Sequence, residues 1–192
     1  RLKIALCTAS PIGSRISPEA TQAAKQAADF LAAAGHEIIE IPYPVDGAAL
    51  IRSYYQMNGA ETTAMMNSIP QGLGRPIRKE EIESFSWTMH QFGQKIPAAT
   101  YVHSLQLWDQ AAVTMEELFQ KFDLFLSPTT AFSAPKINED LQSEHIRQRM
   151  EQAAELTEAE LAELIYDYFD KSLQLTPYTQ LANLTGQPAI SL

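Results

Sequence analysis

The sequence predicts an α/β fold, and three observations carry that expectation. Leu2 to Cys7, His36 to Ile41 and Asp123 to Pro128 are short apolar runs that empty into loops, the long segments between them repeat apolar residues at helical spacing, and Gly and Pro punctuate the joins. Strands separated by helices pair in parallel, and open parallel sheets gather ligands at the C-terminal ends of their strands.

In chain order, Leu2 to Cys7 reads as a buried strand ending in the loop Thr8-Ala9-Ser10-Pro11-Ile12-Gly13-Ser14. Ser17 caps a helix with Pro18 at its first position. Ala20, Ala24, Ala27, Leu31 and Ala34 form its apolar stripe, and Gly35 stops it. His36 to Ile41 follows as a second strand, parallel to the first through a right-handed crossover. After Pro42-Tyr43-Pro44, Asp46 caps a long helix carrying Leu50, Tyr54, Met57 and Met65, and Gln71 to Pro76 reads as a Gly/Pro loop. Two helices are expected next, over Lys79 to Lys95 and Ala98 to Lys121, the second striped by Val102, Leu105, Trp108, Ala112, Met115 and Phe119. Asp123 to Pro128 is a third strand, emptying into Thr129-Thr130-Ala131-Phe132-Ser133-Ala134-Pro135. Thr157 and Glu160 form a capping box, Leu156 and Leu161 a hydrophobic staple, and Leu164, Ile165 and Tyr168 continue that helix. A short helix near Thr179 to Leu184 stops at Gly186, and Pro188 to Leu192 is expected to be the last strand. The strand-end rule then selects Thr8 to Ser14 and Thr129 to Ser133 as the loops that bear the site.

Composition excludes several classes of function. At 192 residues, with 45% hydrophobic and 19% charged residues, the chain matches an ordinary globular domain, and no apolar run approaches the length of a membrane helix. Fourteen Lys and Arg against 23 Asp and Glu leave a net charge of −9, a field that repels nucleic acid and anionic lipid. Ten acidic residues between Glu139 and Asp170, against Arg147 and Arg149, carry most of it, and apolar periodicity through that stretch marks a solvated helical face. One cysteine, Cys7, permits no internal disulfide, and a cytoplasmic location is the expectation. The chain opens at Arg1 on one apolar run and closes on another, as expected of a segment cut from a longer protein.

Reactive chemistry is sparse. A nucleophilic serine needs a base and a cluster of backbone donors, usually from a Gly-rich turn such as G-x-S-x-G, and no such turn occurs. Ser10 reads as a turn hydroxyl and Cys7 as a buried apolar side chain. His36, His90, His103 and His145 lack the spacing of metal ligands, so no metal site or cofactor is expected. Asn58 and Glu61, beside Gly59, are candidates to line a pocket, though a solvated face is the plainer reading. Met57, Met65, Met66, Met89, Trp87 and Phe92 read as core, with an apolar channel wall as the alternative. Gly72-Leu73-Gly74 lacks the preceding strand and the Lys of a phosphate cradle, and Asn183-Leu184-Thr185 matches a glycosylation acceptor only formally.

Two stretches together carry a resemblance. Phe122 to Thr130, followed by Tyr178-Thr179 and Ala182-Asn183-Leu184-Thr185-Gly186-Gln187-Pro188-Ala189-Ile190-Ser191-Leu192, resembles the C-terminal half of the amidase signature family. Leu2 to Leu6, Ser17-Pro18-Glu19-Ala20 and the Ala33-Gly35-His36-Glu37 turn fit the same region, so the resemblance covers essentially the whole chain. Arg52 to Tyr55 and Asn58 to Glu61 resemble the 6-aminohexanoate-cyclic-dimer hydrolase-like members. The resemblance implies a partial amidase-signature-type sheet with helices around it, truncated at both ends. Residues 1–192 would then be a single domain, the C-terminal segment of a longer amidase that cleaves non-peptide C–N bonds with a Ser, cis-Ser, Lys triad.

The family's lysine and its Gly/Ser-rich signature lie upstream of the region matched here, and none of Lys3, Lys25, Lys79, Lys95, Lys121, Lys136 or Lys171 stands in that context. No catalytic residue is carried over, and this segment alone is predicted to be inactive. Its implied contribution is substrate-pocket wall: Thr129, Thr130 and Phe132, facing a small-molecule amide. Nucleic acid and membrane are not expected partners, and the sequence sets no oligomeric state. Two other readings fit the same residues, a non-catalytic α/β ligand-binding or interaction domain and a tRNA-dependent amidotransferase subunit of the family. The acidic field weighs against the second.

Overall fold

The computed structural model describes residues 1–191. The elements run β1 (Lys3–Leu6), α1 (Pro18–Ala33), β2 (Glu37–Glu40), α2 (Gly47–Leu73), a 3-10 turn (Lys79–Glu81), α3 (Ser84–Gly93), α4 (Ala98–Phe119), β3 (Leu124–Leu126), α5 (Glu144–Glu151), α6 (Glu158–Leu175) and α7 (Gln180–Thr185). Packing divides the chain into two compact units. The first comprises Arg1–Leu50, Trp108–Ile137 and the residues from Ser172 onward; the second comprises Ile51–Leu107 and Asn138–Lys171. Among the described residues no helix is long and apolar enough to cross a membrane.

The first unit holds a three-stranded parallel sheet in the order β2-β1-β3, with Ala5 opposite both Ile39 and Phe125. After Lys3 the central strand reads as an apolar run, Ile4 to Cys7, because both its faces are covered. Ala5 packs with Leu50, Ala111, Met115, Leu118 and Leu181 on one face, and Leu6 with Ala24 and Ala28 of α1 on the other. The α1 ends are as the sequence predicts. The Ser17 hydroxyl accepts the Ala20 N–H at 3.1 Å. At the other end the Gly35 and His36 N–H groups donate to Ala32 and Leu31, with Gly35 at φ +91°. That φ is what makes Gly35 a stop. The buried face of α1 uses Ala24 and Ala28; Ala27, placed on the stripe by the sequence, is exposed.

The second unit packs helices around Phe92, Leu161, Leu164 and Ile165, all essentially inaccessible. Gly59 of α2 and Gly93 of α3 meet there: a Cβ on Gly93 would overlap the Gly59 carbonyl, and one on Gly59 would stand 2.7 Å from Phe92 Cδ1. The capping box of α6 is present, with the Thr157 N–H donating to Glu160 at 2.8 Å and the Glu160 N–H to the Thr157 hydroxyl at 3.3 Å. Most acids of the Glu139–Asp170 stretch face solvent, and Asp140, Glu151 and Glu163 pair with Arg147, Lys79 and Arg52.

Four expectations are corrected. Residues 188–191 are not a strand: Ile190 is 84% exposed, and an apolar run becomes a strand only against a ladder partner, which these residues lack among the described ones; Leu192 lies outside the described residues. The loop expected at Gln71 begins only at Gly74, at φ +68°, because α2 continues through Pro70 to Leu73. A single proline removes one helical hydrogen bond without ending the helix. The helix expected over Lys79 to Lys95 is a 3-10 turn and α3, parted by Ile82 and Glu83 in extended conformation. On α4 the buried face is Ser104, Ala111, Met115 and Leu118, while Val102, Leu105 and Phe119 are exposed, so only Met115 of the fully buried set was on the expected stripe. Counting apolar residues overlooked Ser104, whose hydroxyl is satisfied in the interior by Gln56 Oε1 at 2.9 Å and the Thr100 carbonyl at 3.0 Å.

Candidate functional site

The parallel ladder brings the loops after β1 and β3 to the same sheet edge, and the Cys7 N–H extends the ladder to the Leu126 carbonyl at 2.9 Å. The second loop is held through its backbone. Ala131 is completely buried; its N–H donates to Leu175 at 2.8 Å and its carbonyl accepts the Ser17 N–H at 2.9 Å. One residue thereby ties the loop to the end of α6 and the start of α1. Its neighbours remain available, with Thr129 and Thr130 exposed and Phe132 half-buried. The Thr129 hydroxyl pairs with that of Ser191 at 3.0 Å, and the Arg15 guanidinium stands 5.6 Å from the Phe132 ring centre.

The loop after β1 is fixed from above and within. The Tyr178 hydroxyl donates to the Thr8 carbonyl at 3.1 Å, and burial, with the neighbouring Cys7 adding to it, pushes the Tyr178 phenol up to about 12, so it remains a donor across the physiological range. Ser10 Oγ accepts the N–H groups of Ile12 at 3.2 Å and Ser14 at 3.0 Å, and pairs with Ser14 Oγ at 2.9 Å. Ser10 is therefore a turn hydroxyl, as its sequence context suggests. Cys7 is fully buried, and desolvation, then the charge of Glu40, raises its thiol. It is placed as a packing residue, not a nucleophile.

The remaining candidates have structural positions. His36 Nδ1 accepts the Leu2 N–H at 3.1 Å, which ties the start of β1 to the start of β2. His90 pairs through Nε2 with Gln94 at 2.6 Å, and burial lowers its pKa; His103 and His145 are exposed on helices. Phe92 and Ile96 fill the space before Gly59, so the pocket considered beside Asn58 and Glu61 is closed; Asn58 accepts the Thr62 hydroxyl at 3.4 Å. Met66, Met89 and Phe92 are core, whereas Met65 is 55% exposed. Asn183 to Thr185 lies in α7. A shallow cleft of about 330 Å³ lined by Lys25, Asp29, Ile38 and Glu40 flanks α1 and β2 and contains none of the expected site residues.

Sequence reasoning placed Thr129, Thr130 and Phe132 on one loop, and the structure sets them together at the sheet edge. The sequence did not mark Arg15 as part of this edge, nor Tyr178 and Ala131 as its anchors. Arg15 carries one sequence signal, being the only cation between Lys3 and Lys25; Ala131 carries none, because its role is in its backbone.

The fold is that of an α/β protein whose loops after β1 and β3 meet at the C-terminal edge of a parallel sheet, with Thr129, Thr130 and Arg15 exposed there and Phe132 half-buried. The family model described as Amidase matches residues 1–192, and the chain belongs to the amidase family. It is similar to the lipoamidase of Enterococcus faecalis, with 36% identity over 193 residues, covering 98% of this chain and 26% of that protein. It is also similar to the 6-aminohexanoate-cyclic-dimer hydrolase of Paenarthrobacter ureafaciens, at 24% identity over 194 residues, covering 100% of this chain and 37% of that protein. The solved structure of a 6-aminohexanoate cyclic dimer hydrolase superposes with a TM-score of 0.66 at 22% identity, over 89% of this chain and 36% of that one. A bacterial aryl acylamidase of the amidase signature enzymes gives a TM-score of 0.62 at 15% identity, over 98% of this chain and 46% of that one. The fold is thus that of the amidase signature enzymes, and the chain spans between 26% and 37% of the length of these curated relatives.

Proposed function

We propose that residues 1–192 form part of the substrate-pocket wall of an amidase that hydrolyses non-peptide C–N bonds in small-molecule amides. In this reading a serine supplied by polypeptide outside residues 1–192 gives its proton, through a second cis-serine, to a lysine and attacks the amide carbonyl; the C–N bond breaks, the amine leaves with that proton, and water then cleaves the acyl-enzyme. Thr129, Thr130 and Phe132 contact the substrate. The observation that carries the reading is the family match over the whole chain, joined to an accessible loop fixed by Ala131 at the ligand-bearing edge of the sheet.

The test uses the complete polypeptide that carries this chain, assayed on a neutral p-nitroanilide. Phe132→Ala and Thr130→Val should raise KM by about three- to ten-fold while kcat changes little, the signature of lost binding that is equal in ground and transition states. Residues 1–192 alone should give no turnover. Unchanged KM in both variants, or amide hydrolysis by the isolated segment, would overturn the assignment.

A further inference from the structure

We propose that Arg15 recognises a carboxylate, so that the amides taken at this site carry an anionic group; the proposal rests on the pocket-wall reading above and names its substrate class.

The first observation is an arginine without a counter-charge in an acidic chain. Arg1, Arg52 and Arg147 pair with Glu37, Glu163 and Asp140, and Arg75 and Arg78 share Glu81. Neither Arg15 nor Arg149 forms an ion pair among the described residues, although acids outnumber bases 23 to 14, and of the two it is Arg15 that stands at the sheet edge, where its side chain forms no hydrogen bond among the described residues. It is positioned instead by Phe132, 5.6 Å away. An aromatic contact engages the positive charge and leaves the planar fork of N–H donors unspent, and that fork matches a carboxylate bidentately.

The second observation is placement. Arg15 is two residues before Ser17 and Phe132 is one after Ala131, and the Ser17 N–H to Ala131 carbonyl bond of 2.9 Å locks those two backbone points together. The cation and the ring therefore sit on loops whose separation is set by main-chain bonds. Ser14 adds a donor on the same loop. Ser10 Oγ already accepts two N–H groups, so its own proton goes to Ser14 Oγ, and the Ser14 proton remains to be given elsewhere. A single cation, with none nearer in sequence than Lys3 and Lys25, suits a monoanion such as a carboxylate better than a phosphate.

The probes are 4-phenylbutyrate and 4-phenyl-1-butanol, which share an aryl-alkyl body, differ in charge and cannot be hydrolysed. Their binding to the complete polypeptide is measured by calorimetry. The carboxylate should bind about three- to five-fold more tightly than the alcohol, the range of an exposed charge pair, and the ratio should fall as salt is raised. Arg15→Gln should bring the ratio to about one, Arg15→Lys should leave an intermediate value, and Arg149→Gln, which removes the same charge from α5, should leave it unchanged. Equal binding of the two probes to the unaltered protein, or a preference that survives Arg15→Gln, would overturn the proposal. Equal loss in Arg15→Gln and Arg149→Gln would assign the effect to net charge and overturn it as well. Should Arg15→Gln fail to fold, the Lys variant and the salt titration decide. Turnover of a neutral anilide, followed in parallel, separates the two readings: turnover without carboxylate preference removes the role of Arg15 and keeps the pocket wall, and preference without turnover does the reverse.

Discussion

Replacing Gly93 by Ala should break the contact on which α2 and α3 depend. A Cβ at position 93 would overlap the carbonyl oxygen and carbon of Gly59 and the Thr63 hydroxyl, far inside the 3.0 Å that real Cβ contacts respect. Two of the three obstructing atoms are backbone, so no rotamer change relieves the clash, and the helices must retreat by about 1 Å. That retreat loosens Phe92 and Met89, which are 0% and 3% exposed, and stretches the 2.9 Å bond from the Thr63 hydroxyl to the His90 carbonyl. Overpacking of this kind costs about 1–3 kcal/mol, and the weakened hydrogen bond adds about 1 kcal/mol, so the expected loss is about 3 kcal/mol. For a chain of this size that lowers Tm by on the order of 10 °C. Urea denaturation followed by circular dichroism measures it, with two internal comparisons. Gly59→Ala meets only the movable ring of Phe92 and the Ile96 methyl and should cost less. Gly72→Ala faces open space within α2 and should stabilise by up to about 1 kcal/mol. A Gly93→Ala protein within about 0.5 kcal/mol of the parent, or more stable than Gly59→Ala, would refute the close-contact reasoning.

Three further outcomes are expected. Glu81 titrates at about 2 because the Arg75 guanidinium bonds it and the Arg78 N–H supports it. A depressed carboxyl contributes to stability above its ordinary 4.5 and loses that contribution as pH falls toward 2, so in an NMR titration Arg75→Gln should raise the Glu81 midpoint toward 4.5, and an unmoved midpoint would reject the pairing. Lys95 Nζ donates to the carbonyls of Ala154, at 3.1 Å, and Leu156, just before α6, and Lys95→Met should cost about 1–2 kcal/mol, read as a shift in urea midpoint. Ser17→Ala removes the α1 cap but leaves the backbone N–H at position 17 donating to the Ala131 carbonyl, so it should cost about 1 kcal/mol while protection of the position-17 amide stays high in hydrogen exchange.

Most of the architecture was legible in the sequence where local chemistry decides it. Ser17 and Pro18, Gly35, the Thr157–Glu160 box and Gly186 all act within a few residues of themselves, and each stands where the pattern places it. The strand in Leu2 to Cys7 was legible because Ile4 to Cys7, covered on both faces, is apolar throughout. What escaped was decided by partners distant in sequence. Pro188 to Ser191 has strand-like composition, but strand formation needs a neighbour. Ser104 faces inward because Gln56, 48 residues away, satisfies its hydroxyl, and this turned the expected stripe of α4.

The candidate site divides the same way, and the division bears on how such a site is built. The loop bearing Thr129, Thr130 and Phe132 was found from its place after a strand, a positional rule that ignores side chains. Its conformation is likewise independent of them, because both polar groups of Ala131 are spent on Ser17 and Leu175, and Ala131 itself is buried. Thr129 and Phe132 make their contacts, to the Ser191 hydroxyl and the Arg15 guanidinium, outward from that fixed point. Changing them alters what the edge presents without altering where the edge is. A loop held by its main chain can vary its recognising side chains at little cost to the fold, whereas Ala131, completely buried, should lose stability on enlargement.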